Sequence, residues 1–215
     1  MRIPIHRAGW PFIGIFVAVN LLLFIFSSWV GWAFVLPTLW CIAFFRDPER
    51  STPVGEGLVI SPADGRLLPI SRAAPPQELG MGSEPHVRLS IFMNVFNVHV
   101  NRVPVDGTVV ALRYRKGRFF NAAFDKASEH NERMSIRIRH GRPGDAGDLA
   151  VVQIAGLIAR RIKCDLGQGQ QVRQGERFGI IRFGSRLDVY LPRGAQVLAA
   201  PGQHVKAGET VLAKL

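Results

Sequence analysis

The most constraining feature of this chain is a long stretch near its start without a charged side chain. Residues 8–45 contain no Asp, Glu, Lys or Arg, and most of them are aliphatic or aromatic. As one straight helix such a stretch would be about 50 Å long, well beyond the ~30 Å hydrocarbon core of a bilayer. Two helices of about 17 residues each, roughly 11–27 and 29–45, fit better, with the reversal at Ser27-Ser28.

We interpret residues 1–45 as a membrane-anchoring hairpin that stays on the mature protein. A cleaved signal peptide is the alternative, but it is shorter, it is not doubled, and a cleavage site with small residues follows it. Arg2 and Arg7 precede the hairpin, and Arg46 and Arg50 follow it. Because positive charge prefers the inner side of a membrane, we expect the cell membrane as the location, with the rest of the chain on the cytoplasmic side. Whether the hairpin spans fully or is re-entrant stays open.

The chain is strongly basic, and almost all of its charge follows the apolar stretch. It has 27 Lys and Arg against 16 Asp and Glu, a formal net charge of +11 and a pI near 10.9. Directly after a membrane segment, such charge favours contact with anionic lipid headgroups. Nucleic acid is the other partner that basic proteins bind, but no helix-turn-helix, RNA-binding aromatic pair or zinc-finger spacing is present. We therefore expect a membrane as partner and no nucleic acid.

Residues 46–215 have the pattern of a β-rich domain. Gly and Pro recur every several residues between short β-branched runs, which is typical of strands joined by tight turns. Within this part, residues 169–176 and 202–209 repeat one pattern of Gly-Gln, a Val and a later Gly-Glu. The pattern resembles the strand-turn-strand units of lipoyl- and biotinyl-type folds. We predict a mainly β, β-rich α+β domain with such units, preceded by the helical hairpin.

Composition excludes several kinds of site. Cys41 and Cys164 are too few for a disulfide scaffold or a Cys-based zinc site, and no His, Cys and carboxylate cluster has metal-ligand spacing. No glycine-rich phosphate loop opens a helix, so a nucleotide cofactor has no visible cradle. Neither copy of the repeat has a Lys flanked by Met at a hairpin tip, so we expect no swinging-arm attachment.

Three residues have settings that suit chemistry but do not require it. His99 lies in the alternating run 96–101, which as a strand places it on a polar face. Asp64 stands in an Asp-Gly pair between two apolar runs, and Ser185 stands in a Gly-Ser pair between two others. Taken separately, a solvated strand face and ordinary turns explain these patterns equally well.

Short motifs that are weak one by one form a specific series in chain order. The series includes Phe45-Arg46-Asp47-Pro48, Ser61-Pro62-Ala63-Asp64-Gly65, Ile91-Phe92-Met93, Asn97-Val98-His99-Val100-Asn101-Arg102, Pro104-Val105-Asp106-Gly107, Gln153-Ile154-Ala155-Gly156, Ala159-Arg160-Arg161 and Phe183-Gly184-Ser185-Arg186. With this series the chain resembles the short form of the pyruvoyl-dependent phosphatidylserine decarboxylases. The resemblance covers essentially the whole chain beyond the anchor.

The resemblance implies a proenzyme that cuts itself between Gly184 and Ser185. The products would be a β chain, 1–184, and an α chain, 185–215, which form a heterodimer, with higher oligomers left open. Ser185 would attack the preceding carbonyl and end as a covalent pyruvoyl group, so that neither pyridoxal phosphate nor a metal is expected. By motif position His99 would be the base and Asp64 would orient it, as in other Ser-His-Asp sites.

The implied reaction is decarboxylation of an anionic phospholipid, phosphatidylserine, to phosphatidylethanolamine and CO2 through a Schiff base on the pyruvoyl group. Arg102, Arg160 and Arg161 are candidates for binding the phosphate or carboxylate of the substrate. Two rival functions stay open. One is a non-enzymatic, membrane-anchored β adaptor of the lipoyl-like kind, and the other is the same chemistry on another amino-acid headgroup.

Overall fold

The chain divides into two compact units. The first comprises Met1–Glu49 with Phe96–Val98, and the second comprises Arg50–Val95 with His99–Leu215. The computed structural model describes residues 4–117, 131–141, 147–156, 161–182 and 184–215.

The first unit contains a hairpin of two apolar helices, α1 (Trp10–Phe26) and α2 (Ser28–Phe44), after a 3-10 turn at Arg7–Gly9. Ser27 separates the helices in an extended conformation, with φ of −161°. Asn20 brings an amide into the apolar helix pair, and it donates to the carbonyl oxygen of α2 residue Gly31 at 2.8 Å. The two helices and their reversal at the serines are confirmed.

The hairpin exposes a large apolar surface. Ile25 is 80% exposed and Trp29 is 85% exposed. The segment Arg7–Phe26 is long and apolar enough to cross a membrane, with a mean hydropathy of 2.2. Helix α2 has 17 residues, which gives a length of about 26 Å against a hydrocarbon core of ~30 Å. This surface supports membrane association, while the side of the membrane and full spanning stay predictions.

The second unit is built from β-strands, as the spacing of Gly and Pro predicts. In chain order they are β1 (Leu58–Ile60), β2 (Gly65–Leu67), β3 (Ser71–Ala73), β4 (His86–Met93), β5 (Val100–Arg102), β6 (Gly107–Arg115), β7 (Arg133–His140), β8 (Gly147–Ala155), β9 (Ile162–Cys164), β10 (Gln171–Val172), β11 (Arg177–Ile181), β12 (Ser185–Leu191), β13 (Gln196–Val197), β14 (His204–Val205) and β15 (Val211–Lys214). Among the described residues they form a nine-stranded sheet and two three-stranded sheets, and the strand pairs are antiparallel. The predicted β-rich class is confirmed.

The second unit consists of two halves that repeat one another about the middle of the large sheet. The strand order of the large sheet is β10-β6-β7-β8-β12-β4-β2-β14, with β3 beside β4. The centre of this order lies between β8 and β12, and two strands at equal distances from it hold equivalent places in the two halves. The small sheets, β5-β11-β9 and β1-β15-β13, match in the same way. One half, β5 to β11, is continuous in sequence and lies between β4 and β12 of the other half. The chain therefore returns from the inserted half at Gly184-Ser185.

Backbone hydrogen bonds repeat across the two halves. Ile60 N–H donates to the carbonyl of Pro104 at 3.0 Å, and Arg102 N–H donates to the carbonyl of Pro62 at 2.9 Å, so the halves exchange equivalent bonds. The repeat at 169–176 and 202–209 is confirmed as two strand-turn-strand units, β10 with β11 and β14 with β15. A second sequence signal accompanies it, because a Pro-x-Asp-Gly motif at 62–65 recurs at 104–107.

The main core joins the inner face of the large sheet to the two small sheets. Ile91, Val151 and Leu187 from the large sheet belong to one buried cluster with Phe178 and Leu212 from the small sheets. These side chains alternate along their strands with residues that face the other side of the sheet, as the two-residue period of a strand requires.

A 3-10 turn at Gln77–Leu79 covers part of the outer face of the large sheet. Leu79 packs there in a smaller cluster with Val152 of β8. Burial would raise the pKa of Glu78, but hydrogen bonds from Arg133 at 2.8 Å and Ser135 at 3.0 Å outweigh burial and lower it. The charged turn is thus tied to β7 by a bidentate arginine contact.

Gly65→Ala and Gly107→Ala test whether the two halves place their matching glycines under the same backbone constraint. A Cβ at Gly65 would overlap the carbonyl oxygen of Phe92, and one at Gly107 would overlap the carbonyl oxygen of Arg139. We expect each change to lower the free energy of unfolding by about 1–3 kcal/mol, because backbone must move. Chemical denaturation in detergent measures this. Gly167→Ala is the control, since its nearest neighbour is 4.0 Å away, and an equal loss there would contradict the expectation.

Candidate active site

Ser185 is the first residue of β12, a central strand of the large sheet. It pairs with Met93 of β4 on one side and with Ala155 of β8 on the other. Its side chain faces the inner, apolar side of the sheet with these two neighbours, and Ser185 is fully buried. The hydroxyl oxygen lies 3.9 Å from the sulfur of Met93, a weak acceptor. The hydroxyl of Ser185 is thus enclosed inside the protein, with the sulfur of Met93 beside it.

Gly184 gives the bond before Ser185 an unusual backbone conformation. Its φ of 69° lies in the left-handed region, which costs other L-residues about 1–2 kcal/mol. A Cβ added there would meet no described atom within 4 Å. Glycine is therefore required at this position by conformation and not by lack of space.

His99 precedes β5 and is fully buried, and so is Asn101. The strand predicted over the alternating run 96–101 is wrong in part, because residues 95–97 form a turn and β5 begins only at Val100. Val98 and Val100 are buried as well, so the run does not divide into a buried face and an exposed face.

The amide nitrogen of Asn101 lies 3.9 Å from the sulfur of Met93, the same atom that Ser185 approaches. His99 stands two residues before Asn101 in the chain. The structure thus brings the segment of His99 to the enclosure of Ser185.

Asp64 is buried just before β2, and its carboxylate has two strong contacts. Arg50 donates to it at 2.8 Å, and the backbone N–H of Ala207 donates to it at 2.8 Å. Asp106, its match in the other half, likewise accepts from the backbone N–H of Gln174 at 2.7 Å. Supporting a turn is therefore common to both halves, and the ion pair with Arg50 distinguishes Asp64.

Backbone contacts also place Asp64 near the His99 segment. The carbonyl of Pro62, two residues before Asp64, accepts from the N–H of Arg102, three residues after His99. The two motifs therefore run beside one another. The orienting role of Asp64 toward His99 stays a prediction.

A buried ion pair lies on the opposite face of β12 from Ser185. Arg186 is 1% exposed and Asp188 is 0% exposed, and the guanidinium donates to the carboxylate at 2.6 Å. Arg186 also donates to the hydroxyl of Ser90 on β4 at 2.8 Å. The sequence analysis did not single out this pair. An Arg and an Asp two residues apart in a strand, directly after the Gly-Ser pair, are the signal that could have found it.

The candidate substrate-binding arginines have different surroundings. Arg102 is buried, and it donates to the carbonyl of Gly175 at 2.9 Å in the turn before β11. Arg160 lies outside the described residues.

Arg161 is exposed, and its backbone carbonyl accepts a hydrogen bond from the N–H of Arg182. Arg182 was not among the residues predicted from the sequence. Burial and the charge of Arg161 together lower the pKa of Arg182. Arg182, three residues before Ser185, is thus paired through its backbone with Arg161 and is affected by the charge of that residue.

No group of three His, Cys, Asp or Glu side chains that could hold a metal occurs among the residues that the structure describes.

Comparison with known proteins decides the family. The profile of the family described as phosphatidylserine decarboxylase matches residues 38–213. The chain belongs to the phosphatidylserine decarboxylase family. Three relatives named phosphatidylserine decarboxylase proenzyme agree over 99% of this chain. They come from Paramagnetospirillum magneticum (58% identical, 87% of the relative covered), Cereibacter sphaeroides (57%, 90%) and Ruegeria pomeroyi (54%, 95%).

The family match confirms the resemblance on which the sequence analysis relied. It covers both halves of the duplicated β unit and the end of α2. In this member of the phosphatidylserine decarboxylase family, Gly184-Ser185 joins the inserted half to the central strand β12.

Asp188→Asn tests the buried ion pair. The change leaves the charge of Arg186 buried without its counter-charge, and we expect the free energy of unfolding to fall by about 3–5 kcal/mol. The double variant Arg186→Met, Asp188→Leu recovers most of this loss, because no charge is left to desolvate. Denaturation curves in detergent measure both. Glu84→Gln, in an exposed pair with Arg193, serves as control, and a loss equal to that of Asp188→Asn would refute the argument.

Proposed function

We propose that the chain is a phosphatidylserine decarboxylase, made as a proenzyme that cuts itself between Gly184 and Ser185. Its place in the family supports conversion of phosphatidylserine to phosphatidylethanolamine and CO2. The word proenzyme in the names of the three relatives supports processing. The observation that carries the proposal is the buried Ser185, which follows a left-handed Gly184 at the start of a central strand.

In the proposed cut, Ser185 attacks the carbonyl carbon of Gly184. The left-handed conformation at Gly184 lets the backbone distort so that oxygen and carbon can meet, as a residue without Cβ allows. A serine hydroxyl is a weak nucleophile until a base takes its proton. His99 is the proposed base, and Asp64, held by Arg50, is the proposed orienting group.

The two fragments are expected to stay together as a heterodimer. Strand β12 is hydrogen-bonded to β4 along seven residue pairs and to β8 along six. Strands β13, β14 and β15 of the same fragment pair with strands before the cut or with one another. The 185–215 fragment therefore contributes to the large sheet and to one small sheet.

The proposed prosthetic group is a pyruvoyl group derived from Ser185, and its surroundings fit. Met93 and Ala155, its neighbours across the strands, carry no charge. Such a group supplies an electron sink next to the substrate amine. Residues around it exclude water, since Ser185, His99 and Asn101 are all fully buried.

The anchor and the arginines suit a lipid substrate. A diacyl substrate lies in the bilayer, and an apolar hairpin on the same chain holds the enzyme at that surface, which we propose is its cytoplasmic face. Arg161 and Arg182 form the proposed contact for the phosphate or carboxylate, because two nearby positive charges gain from an anion between them. The basic chain as a whole favours an anionic surface.

Ser185→Ala tests the cut. We expect the unchanged chain to give two bands on a denaturing gel, and the variant to stay as one because it lacks the attacking oxygen. The intact mass of the small fragment should be lower than that of a serine-started 185–215 peptide by one ammonia. Ser135→Ala, at another buried serine in a strand, should be cut normally. A fragment of the same size from Ser185→Ala would refute self-cleavage at this bond.

Arg182→Gln tests the anion contact. We expect KM for phosphatidylserine in mixed micelles to rise about tenfold, the effect of one lost charge-assisted hydrogen bond, while kcat and proenzyme cleavage change little. Arg193→Gln, at an exposed arginine on the far side of β12 from the cut, is the matched control. An unchanged KM in Arg182→Gln would remove this residue from substrate binding.

A further inference from the structure

Gln153 on β8 has a buried side-chain oxygen that accepts no hydrogen bond from the described residues. It is fully buried, and its amide nitrogen donates to the side-chain oxygen of Asn101 at 2.8 Å. Its own side-chain oxygen has no hydrogen-bond partner among the described residues. A buried acceptor without a donor costs free energy, and an apolar side chain of similar size would avoid that cost. Such an atom calls for an explanation.

The position of Gln153 connects it to Ser185. Gln153 shares a strand face with Ala155, which lies directly across from Ser185, so Gln153 and Ser185 are diagonal neighbours. Diagonal neighbours in an antiparallel pair lie within reach of long side chains. Asn101, the partner of Gln153, approaches the same Met93 sulfur as Ser185, each at 3.9 Å. The amide pair and Ser185 therefore line one enclosure.

In the proposed self-cleavage, the hydrogen-bond donor of residue 185 changes from its side-chain oxygen to its backbone nitrogen. When Ser185 oxygen bonds to the carbonyl carbon of Gly184, the bond from that carbon to nitrogen breaks. The proton leaves the hydroxyl and arrives at the nitrogen. The backbone amide with one N–H thus becomes an amine with two N–H groups, and the oxygen becomes that of an ester without a donor. One additional N–H then needs an acceptor in a place closed to water.

We infer that the side-chain oxygen of Gln153 accepts this N–H and so stabilises the ester form of the proenzyme. Gln153 is then a catalytic residue of self-cleavage, and Asn101 is a positioning residue that holds its amide in one orientation. The inference rests on the proposed self-cleavage. It explains why an acceptor stays unused in the uncut chain, since its donor forms only when the bond rearranges.

Pulse-labelled full-length chain, made by cell-free synthesis with nanodiscs, provides the test. Cleavage is followed on gels with and without hydroxylamine, which cuts esters and leaves amides intact. Gln153→Met keeps the size and removes the acceptor, and we expect cleavage about tenfold slower, as for one lost hydrogen bond. Hydroxylamine-driven cleavage should fall by the same factor, because less ester is present. Gln153→Glu keeps an acceptor and should be cut faster than Gln153→Met.

Two controls separate this inference from the proposed function. Gln168→Met, the same change at an exposed glutamine, should be cut at the rate of the unchanged chain. Asn101→Ser should slow the hydroxylamine-driven cut as well, by loosening Gln153, whereas a merely structural role would not reduce the ester. If the unchanged chain itself stays uncut, self-cleavage is wrong.

The inference about Gln153 has its own contrary outcomes. It is overturned if the unchanged chain is cut and the Gln153→Met variant is cut at the same rate. It is also overturned if Gln153→Met and Gln153→Glu are equally slow, or if hydroxylamine cuts Gln153→Met at the normal rate, which would place the defect after the ester.

Discussion

The pairing of β12 on both of its edges is the constraint on which the rest of this structure depends. A strand with neighbours on both sides has its backbone donors and acceptors satisfied along its length, and its side chains are buried on both faces. The chain enters this strand through a left-handed glycine. The bond proposed to rearrange therefore lies between a left-handed glycine and a strand that is paired on both edges.

The two matching halves of the second unit differ at positions that belong to the candidate site. Ser185 pairs with the last residue of β4, and Gly147 of β8 pairs with the last residue of β7, so Gly147 is the match of Ser185 in the other half. Asp64 and Asp106 both support a turn, and among the described residues only Asp64 also binds an arginine. The two halves therefore differ at both matched positions, with Ser185 and the Asp64–Arg50 ion pair in one half and Gly147 and Asp106 in the other.

Burial explains why so much polar chemistry near β12 is paired. Arg186 and Asp188 satisfy one another on the outer face, and the amides of Asn101 and Gln153 meet on the inner face. A low dielectric strengthens each of these contacts and makes any unsatisfied group costly. Exclusion of water also suits the proposed cut, because its ester would otherwise be exposed to hydrolysis. The anchor contributes a different property, since its exposed apolar surface supports association with a membrane.

The sequence by itself determined the class of each part. The absence of charge over 38 residues predicts two apolar helices, and the spacing of Gly and Pro predicts short strands, because both follow from local preferences and periodicity. The motif series predicted the family, which the comparisons confirm, and with it the proposed cut between Gly184 and Ser185. Periodicity predicted a strand over 96–101 with one polar face, whereas residues 95–97 form a turn and His99 and Asn101 are both buried.

Only the tertiary structure decided which polar residues meet. The pairing of Gln153 with Asn101 joins positions 52 residues apart, and the ion pair of Arg186 becomes significant only when both faces of β12 are covered. The match of Asp64 with Asp106 depends on how two halves of the chain interleave. Contacts of this kind are set by strand register and burial between distant segments, and local sequence carries neither.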